Sequence, residues 1–213
     1  MVGSEAGAPM KALLNLFFAI AVIAYPFLVY WGLTRFQPRV LALMLLGLFA
    51  MRWVVAGKLN AAAVKSLLPV AGAVAATMSL VLIFGDGRLL LLNPVFINLV
   101  FLAAFAYTLR RPPSMIERFA RLRENDLPAQ AIPYCRKVTI VWCVFFLVNG
   151  GVALWTALAA SVKVWTLYNG LISYGLMGVL FAIEYLVRRV QMRKHAAMAA
   201  NGKTLALSKA EPP

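Results

Sequence analysis

The amino-acid sequence predicts an all-α, polytopic membrane protein with six transmembrane helices and one amphipathic helix in the cytoplasmic interface. First, 63% of the 213 residues are hydrophobic and only 13% are charged, with a mean hydropathy of +0.83. A chain of this size cannot bury so many apolar side chains in one water-soluble core. Second, six apolar runs follow one another along the chain. Third, the Lys and Arg residues are concentrated in alternate polar intervals between them.

Composition also limits the classes of function. A formal net charge of +14 would suit nucleic acid if the basic residues clustered on a soluble face, but they lie at the ends of apolar runs. We therefore predict membrane lipids, and no nucleic acid, as partners. A single histidine, His195, and no CxxC motif predict no metal and no cofactor. Cys135 and Cys143 are separated by about 12 Å along a helix, too far for a disulfide.

The first 109 residues are predicted to form a short cytoplasmic N-terminus, residues 1–11, and four spans within residues 12–109. A cleaved signal peptide is the alternative to the first span, because Ala19 and Ala21 resemble a cleavage site. The apolar run continues past that site for roughly the 20 residues that a span needs, which favours an uncleaved helix. The four spans are predicted at residues 12–33, 40–56, 67–84 and 89–109, with a loop at 57–66.

The longest polar interval, residues 110–137, carries seven basic residues. Two prolines end the preceding helix, and Ser114 followed by Glu117 has the form of a capping box. One face of the helix that follows is apolar, formed by Met115, Ile116, Phe119 and Leu122. The other face is charged, formed by Glu117, Arg118, Arg121 and Glu124. This pattern predicts an amphipathic helix lying in the cytoplasmic interface.

Two more spans, at residues 138–160 and 165–187, are predicted within residues 138–187, before a basic tail, residues 188–213, that is partly disordered. Placing the interval 110–137 in the cytoplasm puts 17 of the 21 Lys and Arg residues on that side. The sequence therefore predicts that both termini are cytoplasmic.

Several polar side chains fall inside the predicted spans, where an unpaired amide costs a few kcal/mol in lipid. They are Asn98, Asn149, Tyr168, Asn169, Ser173 and Tyr174. Either they line a polar pocket, or they form hydrogen bonds between closely packed helices. The second alternative is favoured, because Gly150 and Gly170 directly follow two of the asparagines.

Glu184 is the only carboxylate within a predicted span, and an ionisable group in hydrocarbon is a candidate functional site. Its position one turn from the cytoplasmic end offers a simpler explanation, an ion pair with Arg188 four residues on. A substrate or proton role for Glu184 remains the alternative.

The arginines of the basic interval are the candidate binding residues for a phosphate group, either of a lipid headgroup or of a carrier protein's phosphopantetheine arm. The candidate set is Arg110, Arg111, Glu117, Arg118, Arg121 and Arg123. Cytoplasmic orientation alone explains the positive charge, but it does not require an amphipathic helix.

Three stretches of the second half resemble an uncharacterised family of bacterial predicted inner-membrane proteins: PPSMIERFARL, YCRKVTIVWCVFFLVNGG and WTLYNGLISYGLMGVLFAIEYLVRR. The resemblance covers roughly residues 93–189. It implies an inner-membrane location and a genetic context of ketosynthases and acyl carriers that make aryl polyene pigments, which are lipid-linked and sent to the outer membrane. It implies no catalytic residues. A weaker likeness, in size and helical architecture alone, is to small septation-associated membrane proteins.

Enzyme motifs are missing from the chain, which has no H-x4-D box, no G-x-S-x-G motif and no Walker loop. We therefore expect an accessory protein of aryl polyene or related lipid synthesis or export, which binds lipid or a synthase partner. A small transporter or flippase for a lipid-like substrate is the alternative, and an enzyme is the interpretation that the motifs favour least.

Overall fold

The computed structural model describes residue 20 and residues 23–59, 61–123 and 127–189. All regular secondary structure in this part of the chain is helical, so the predicted all-α class is confirmed. The predicted N-terminal segment, residues 12–19, 21 and 22 of the predicted first span, and the tail from residue 190 lie outside the described residues.

The helices follow one another with short connections. They are α1 (residues 23–35), α2 (Pro38–Leu59), α3 (Ala61–Phe84), a 3-10 helix (Gly87–Leu92), α4 (Asn93–Arg110), α5 (Met115–Arg123), α6 (Ala131–Ala159) and α7 (Val162–Arg189). A π-helical turn, Tyr168–Ile172, interrupts α7. The chain forms two compact units, Met1–Ser173 and Tyr174–Pro213, and the core described below belongs to the first.

Three stretches within the described residues are long and apolar enough to cross a membrane. They are Gly87–Arg110, Ala131–Ala159 and Val162–Arg189. The first and third contain the predicted fourth and sixth spans, and the second contains the predicted fifth span except Ala160. Of two shorter apolar stretches, Pro38–Met51 overlaps the predicted second span and Leu68–Phe84 lies within the predicted third.

Two predicted loops are wrong. Helices α2 and α3 occupy the interval 57–66 apart from residue 60, which lies outside the described part. The run Ala61, Ala62 and Ala63 explains the early start of α3, because alanine has the highest helix propensity. Helix α6 begins at Ala131, inside the interval that we assigned to a loop, and it contains Pro133 in its first turn, where a missing N–H group is tolerated.

Helices α4 and α6 pack along an aromatic seam. Phe101 and Phe146 stack with their ring centroids 5.3 Å apart, and Phe105 meets Phe146 edge-on at 5.2 Å. Trp142, which is 4% exposed, lies within 5.7 Å of the Phe146 ring. Aromatic pairs in such arrangements are favoured by their quadrupoles, so this seam fixes the two helices side by side.

A second cluster lies at the opposite end of α4 from α5 and surrounds the 3-10 helix. Its centre is Trp165, which is fully buried and donates from Nε1 to the carbonyl of Leu91 at 3.0 Å. The Tyr25 hydroxyl donates to the carbonyl of Leu90, also at 3.0 Å. The Leu90 carbonyl therefore accepts two bonds, one from the backbone N–H group of Asn93 at the end of the 3-10 helix and one from the Tyr25 side chain of α1.

Candidate functional site

The predicted amphipathic helix exists as α5, but one side chain that we assigned to its charged face, Glu117, is buried. Ser114, Glu117 and Ala120 are buried, at 3%, 5% and 8% exposure. Phe119 and Leu122 are exposed, at 54% and 84%. The placement of Glu117 on the exposed charged face was therefore wrong. This carboxylate lies on the buried face of α5, where an arginine of the same helix neutralises it.

The capping-box prediction is also wrong. The Ser114 hydroxyl is buried and has no hydrogen-bond partner among the described residues. Instead, the amide of Ile116 donates to Thr139 Oγ1 of α6 at 3.3 Å, and the Thr139 hydroxyl donates to the Cys135 carbonyl at 2.8 Å. The first turn of α5 is thus held by a neighbouring helix rather than by its own cap residue.

Several arginines of the basic interval bind backbone carbonyl groups. Arg118 donates from Nε to the Pro113 carbonyl at 2.9 Å and from Nη2 to the Arg111 carbonyl at 3.5 Å. Arg136 donates to the Leu109 carbonyl at 2.9 Å, which satisfies an acceptor at the C-terminal end of α4. These bonds close the connection between α4 and α5.

The other predicted arginines lie at helix ends. Arg110 is exposed in the last turn of α4, and the guanidinium of Arg111 lies 5.7 Å from the centre of the Tyr107 ring. Arg123 is the last residue of α5. The structure thus brings Arg110, Arg111 and Arg118 to the junction of α4 and α5.

Glu117 and Arg121 form an ion pair one helical turn apart. Both Nε and Nη2 of Arg121 donate to Glu117 Oε1, at 3.0 and 2.8 Å. The Glu117 side chain is 6% exposed and the Arg121 side chain is 42% exposed. The pair is therefore asymmetric, with the anion desolvated and the cation still in reach of water or headgroups.

This asymmetry predicts unequal effects of removing each partner. Arg121→Gln is expected to lower the free energy of unfolding by about 1 to 2 kcal/mol, because it leaves a buried carboxylate without a partner. Glu117→Gln is expected to cost less than about 1 kcal/mol, since the exposed guanidinium can be solvated. Thermal unfolding of both variants measures the difference, and the double variant serves as control. A larger loss for Glu117→Gln than for Arg121→Gln would contradict this assignment.

The predicted polar residues of the spans form a hydrogen-bonded chain across three helices. Asn98 of α4 donates to the Pro94 carbonyl at 2.8 Å and accepts from Asn149 Nδ2 of α6 at 3.1 Å. The Tyr168 hydroxyl of α7 donates to Asn149 Oδ1 at 3.0 Å. Gly150 permits this approach, because a Cβ atom there would lie 3.1 Å from Asn98 Cβ. Hydrogen bonding between closely packed helices, the favoured alternative, is therefore what these residues show.

Asn169 belongs to a neighbouring set of bonds. Its Nδ2 donates to Thr156 Oγ1 at 3.3 Å and to the Trp165 carbonyl at 3.0 Å. Asn169 and Gly170 lie in the π-helical turn, and a Cβ atom at Gly170 would come within 2.8 Å of the Phe27 ring. Such turns often occur at functional sites, and this one carries Tyr168 and Asn169 together.

The remaining three predicted residues of the spans lie in α7 at or after Ser173. Ser173 is 8% exposed and ends the first unit, whereas Tyr174 and Glu184 belong to the second. The ion pair of Glu184 with Arg188 stays a prediction. Among the described residues, no three His, Cys, Asp or Glu side chains are grouped so that they could hold a metal ion.

Sequence reasoning missed Thr139 and Trp165 as key contacts. The sequence held a signal for Trp165. This tryptophan lies in the first turn of an apolar helix that begins after Ser161, and a buried indole N–H group needs an acceptor. No local signal marked Thr139, since its partner lies 23 residues away in the sequence.

Fold and site together define an all-helical protein whose described residues include three helices that are long and apolar enough to cross a membrane. Comparison of the chain with protein-family models, with curated proteins and with solved structures finds no match.

Proposed function

We propose that the chain is a six-span protein of a bacterial inner membrane, with both termini in the cytoplasm, that acts by binding rather than by catalysis. Its role is that of an accessory protein in aryl polyene or related lipid synthesis or export. Its partners are membrane lipids and acyl carrier or ketosynthase-type proteins, and both bind at the surface formed by α5 and the neighbouring arginines. The pathway in this proposal comes from the resemblance of residues 93–189.

One observation carries the binding mode, namely the rotation of α5. The helix buries its carboxylate and exposes Phe119 and Leu122, and the exposed Arg110 and Arg111 precede it in the chain. A helix with an exposed apolar side and neighbouring cations is the kind that lies at a membrane surface. Exposure of these two apolar side chains to water would be unfavourable, whereas contact with the membrane removes their surface from water.

Exposed aromatic residues support a membrane-spanning position of these helices. Trp31 and Trp155 are 54% and 60% exposed and lie near the ends of α1 and α6 that are remote from α5. Tyr107 is 55% exposed and lies one turn before the arginines. Amphipathic rings at both ends of a span are typical of the two membrane interfaces.

Introducing charge on the exposed side of α5 is expected to abolish the function and leave the fold intact. The double variant Phe119→Glu, Leu122→Glu places two anions against an anionic membrane surface, without altering a buried contact. In a strain that lacks the chromosomal gene, this variant should fail to restore polyene lipid in the outer membrane, measured by extraction and absorbance of each membrane fraction. The control is Phe119→Leu, Leu122→Met, which keeps the apolar side and should restore it.

Two outcomes would contradict the proposal. One is a normal amount of polyene lipid in both membranes after deletion of the gene. The other is full complementation by the double glutamate variant at normal protein level. The position of α5 is measured separately, by quenching of a fluorescent Leu122→Trp variant with lipids brominated near their headgroups.

A transporter or flippase is the second candidate, and the chain of Asn98, Asn149 and Tyr168 favours it. Asn149 lies ten residues before the end of α6, or about 15 Å, which is near the middle of a hydrocarbon core of about 30 Å. Polar groups at that depth mark substrate paths in many transporters. Movement of fluorescent lipid between leaflets of vesicles containing the purified protein would establish this activity in place of binding.

A further inference from the structure

Two turns of the chain touch each other at the end of α4 that is remote from α5. One turn joins α1 to α2, and the other joins α3 to the 3-10 helix. A Cβ atom added at Gly87 would lie 2.5 Å from the Leu33 side chain and 3.2 Å from Pro38, so the two segments are in close contact. Arg39 also links them, because its Nε donates to the Leu82 carbonyl at 3.2 Å.

Three exposed arginines lie at these two turns. Arg35 is the last residue of α1, Arg39 lies in the first turn of α2, and Arg88 lies in the first turn of the 3-10 helix. The acidic side chain at the turns is Asp86, whose Oδ1 accepts from the backbone N–H group of Arg88 at 2.8 Å. Among the described residues, no ion pair joins Asp86 to any of the three arginines. The two turns therefore carry an excess of positive charge.

Membrane orientation does not explain these arginines. Basic residues near the ends of spans are retained on the cytoplasmic side, where the proposed topology places 17 of the 21 Lys and Arg residues. The three arginines are on the other side, so they oppose this rule. The C-terminal end of α3 offsets part of the charge of Arg39. The side chains of Arg35 and Arg88 have no ionic partner within the described part of the chain, so an external anion is left to balance them.

Exposed apolar side chains border the same two turns. Trp31 and Phe36 are 54% and 36% exposed, and their rings meet edge-on with centroids 5.7 Å apart. Ile83 and Phe84, which directly precede the second turn, are 67% and 68% exposed. Exposed aromatic side chains beside arginines are typical of a membrane interface. A ligand that carries both a negative charge and acyl chains therefore suits this surface better than a free anion.

We infer that the surface formed by Arg35, Arg39 and Arg88 binds the phosphate group of an anionic phospholipid, in the leaflet opposite α5. Guanidinium groups donate paired N–H groups to phosphate oxygens, and Trp31 and Phe36 contact the acyl chains. The site is separate from the surface formed by α5 and goes beyond the proposed function. It rests on the proposed membrane position of the helices and not on the proposed pathway.

The test is a titration of the full-length, detergent-solubilised protein with phosphatidylglycerol, followed by native mass spectrometry. Phosphatidylcholine with the same acyl chains is the control lipid, because its headgroup has no net charge. We expect phosphatidylglycerol to bind roughly tenfold more tightly than phosphatidylcholine. Inorganic phosphate is titrated in competition, and we expect it to leave the bound lipid in place.

Single substitutions locate the site. Arg35→Gln and Arg88→Gln are each expected to weaken phosphatidylglycerol binding by roughly tenfold, the usual effect of losing hydrogen bonds to a charged group. Both side chains are exposed, so thermal unfolding of the two variants without lipid should match the wild type. Lys163→Gln, which removes an exposed cation from the start of α7, is the matched control and should change binding by less than about twofold.

Removing the negative charge at the turns is expected to have the opposite effect. Asp86→Asn keeps an oxygen that accepts from the Arg88 N–H group, so the turn is preserved. It removes a charge that repels the phosphate, and phosphatidylglycerol should bind about two- to fivefold more tightly, the usual effect of one exposed charge. Weaker binding by this variant would show that the conformation of the turn, rather than its charge, governs the interaction.

Three further results would overturn the inference. Wild-type affinity in both Arg35→Gln and Arg88→Gln would place the phosphate elsewhere. Equal weakening by Lys163→Gln would show general attraction by positive charge rather than a site. Displacement of the lipid by equimolar inorganic phosphate would exclude a lipid ligand.

Failure of this inference and failure of the proposed function are distinguishable. The Phe119→Glu, Leu122→Glu variant alters the surface formed by α5, and it should still bind phosphatidylglycerol in a manner that depends on Arg88. Loss of that dependence would overturn the present inference. The proposed function fails by a different result, normal lipid distribution after gene deletion.

Discussion

Replacing Trp165 with alanine is expected to lower the free energy of unfolding by about 3 to 5 kcal/mol, the usual range for removing a large buried aromatic side chain. Trp165 is the largest fully buried side chain of the described residues, and it belongs to a buried cluster with residues of α1, α2, α3 and the 3-10 helix. Its loss leaves a cavity that these helices cannot fill without moving. It also removes the donor to the Leu91 carbonyl. Unfolding in mixed detergent micelles with increasing sodium dodecyl sulfate measures the change.

Trp155 provides the matched control, because it is a tryptophan of the neighbouring helix α6 but is 60% exposed. Trp155→Ala should cost less than about 1 kcal/mol, as is usual for an exposed position. Trp165→Phe separates the two contributions, since it keeps most of the ring volume and removes only the N–H group. Equal losses for Trp165→Ala and Trp155→Ala would show that the cluster around the 3-10 helix does not hold the fold together.

Helix α5 shows which features local sequence can predict and which it cannot. The spacing of Met115, Phe119 and Leu122 predicted a helix with an apolar side, and that helix exists. The pattern did not say which side faces protein, because a membrane surface and a protein core both accept apolar groups. The burial of Glu117 depends on Arg121 and on contact with α6, which is a tertiary property.

Similar reasoning explains the polar chain. The cost of an unpaired amide in an apolar span predicted that Asn98 and Asn149 would each have a partner. It did not predict that they would pair with each other, because 51 residues separate them. The π-helical turn that carries Tyr168 also has no periodic signal, since one inserted residue barely changes an apolar pattern.

The second large effect is expected for Asn149→Leu, which should lower the free energy of unfolding by about 2 to 4 kcal/mol. Leucine has nearly the same shape, so the packing around residue 149 is retained. The substitution leaves two polar groups without partners, the buried Asn98 Oδ1 and the half-buried Tyr168 hydroxyl. Most of the expected loss is the cost of these two groups rather than the value of the bonds, which is small on average between membrane helices.

Two further variants separate that cost from the bonds themselves. Asn98→Leu combined with Asn149→Leu removes both amides, so the double variant should be less destabilised than the sum of the single variants. Tyr168→Phe removes only the last group of the chain and should cost about 1 kcal/mol. Val148→Ala, at an exposed neighbouring position on α6, is the control for substitutions that do not touch the chain. Strict additivity of the two asparagine variants would mean that Asn98 and Asn149 do not act as a pair. Another contact would then have to explain why these two amides are buried between the helices.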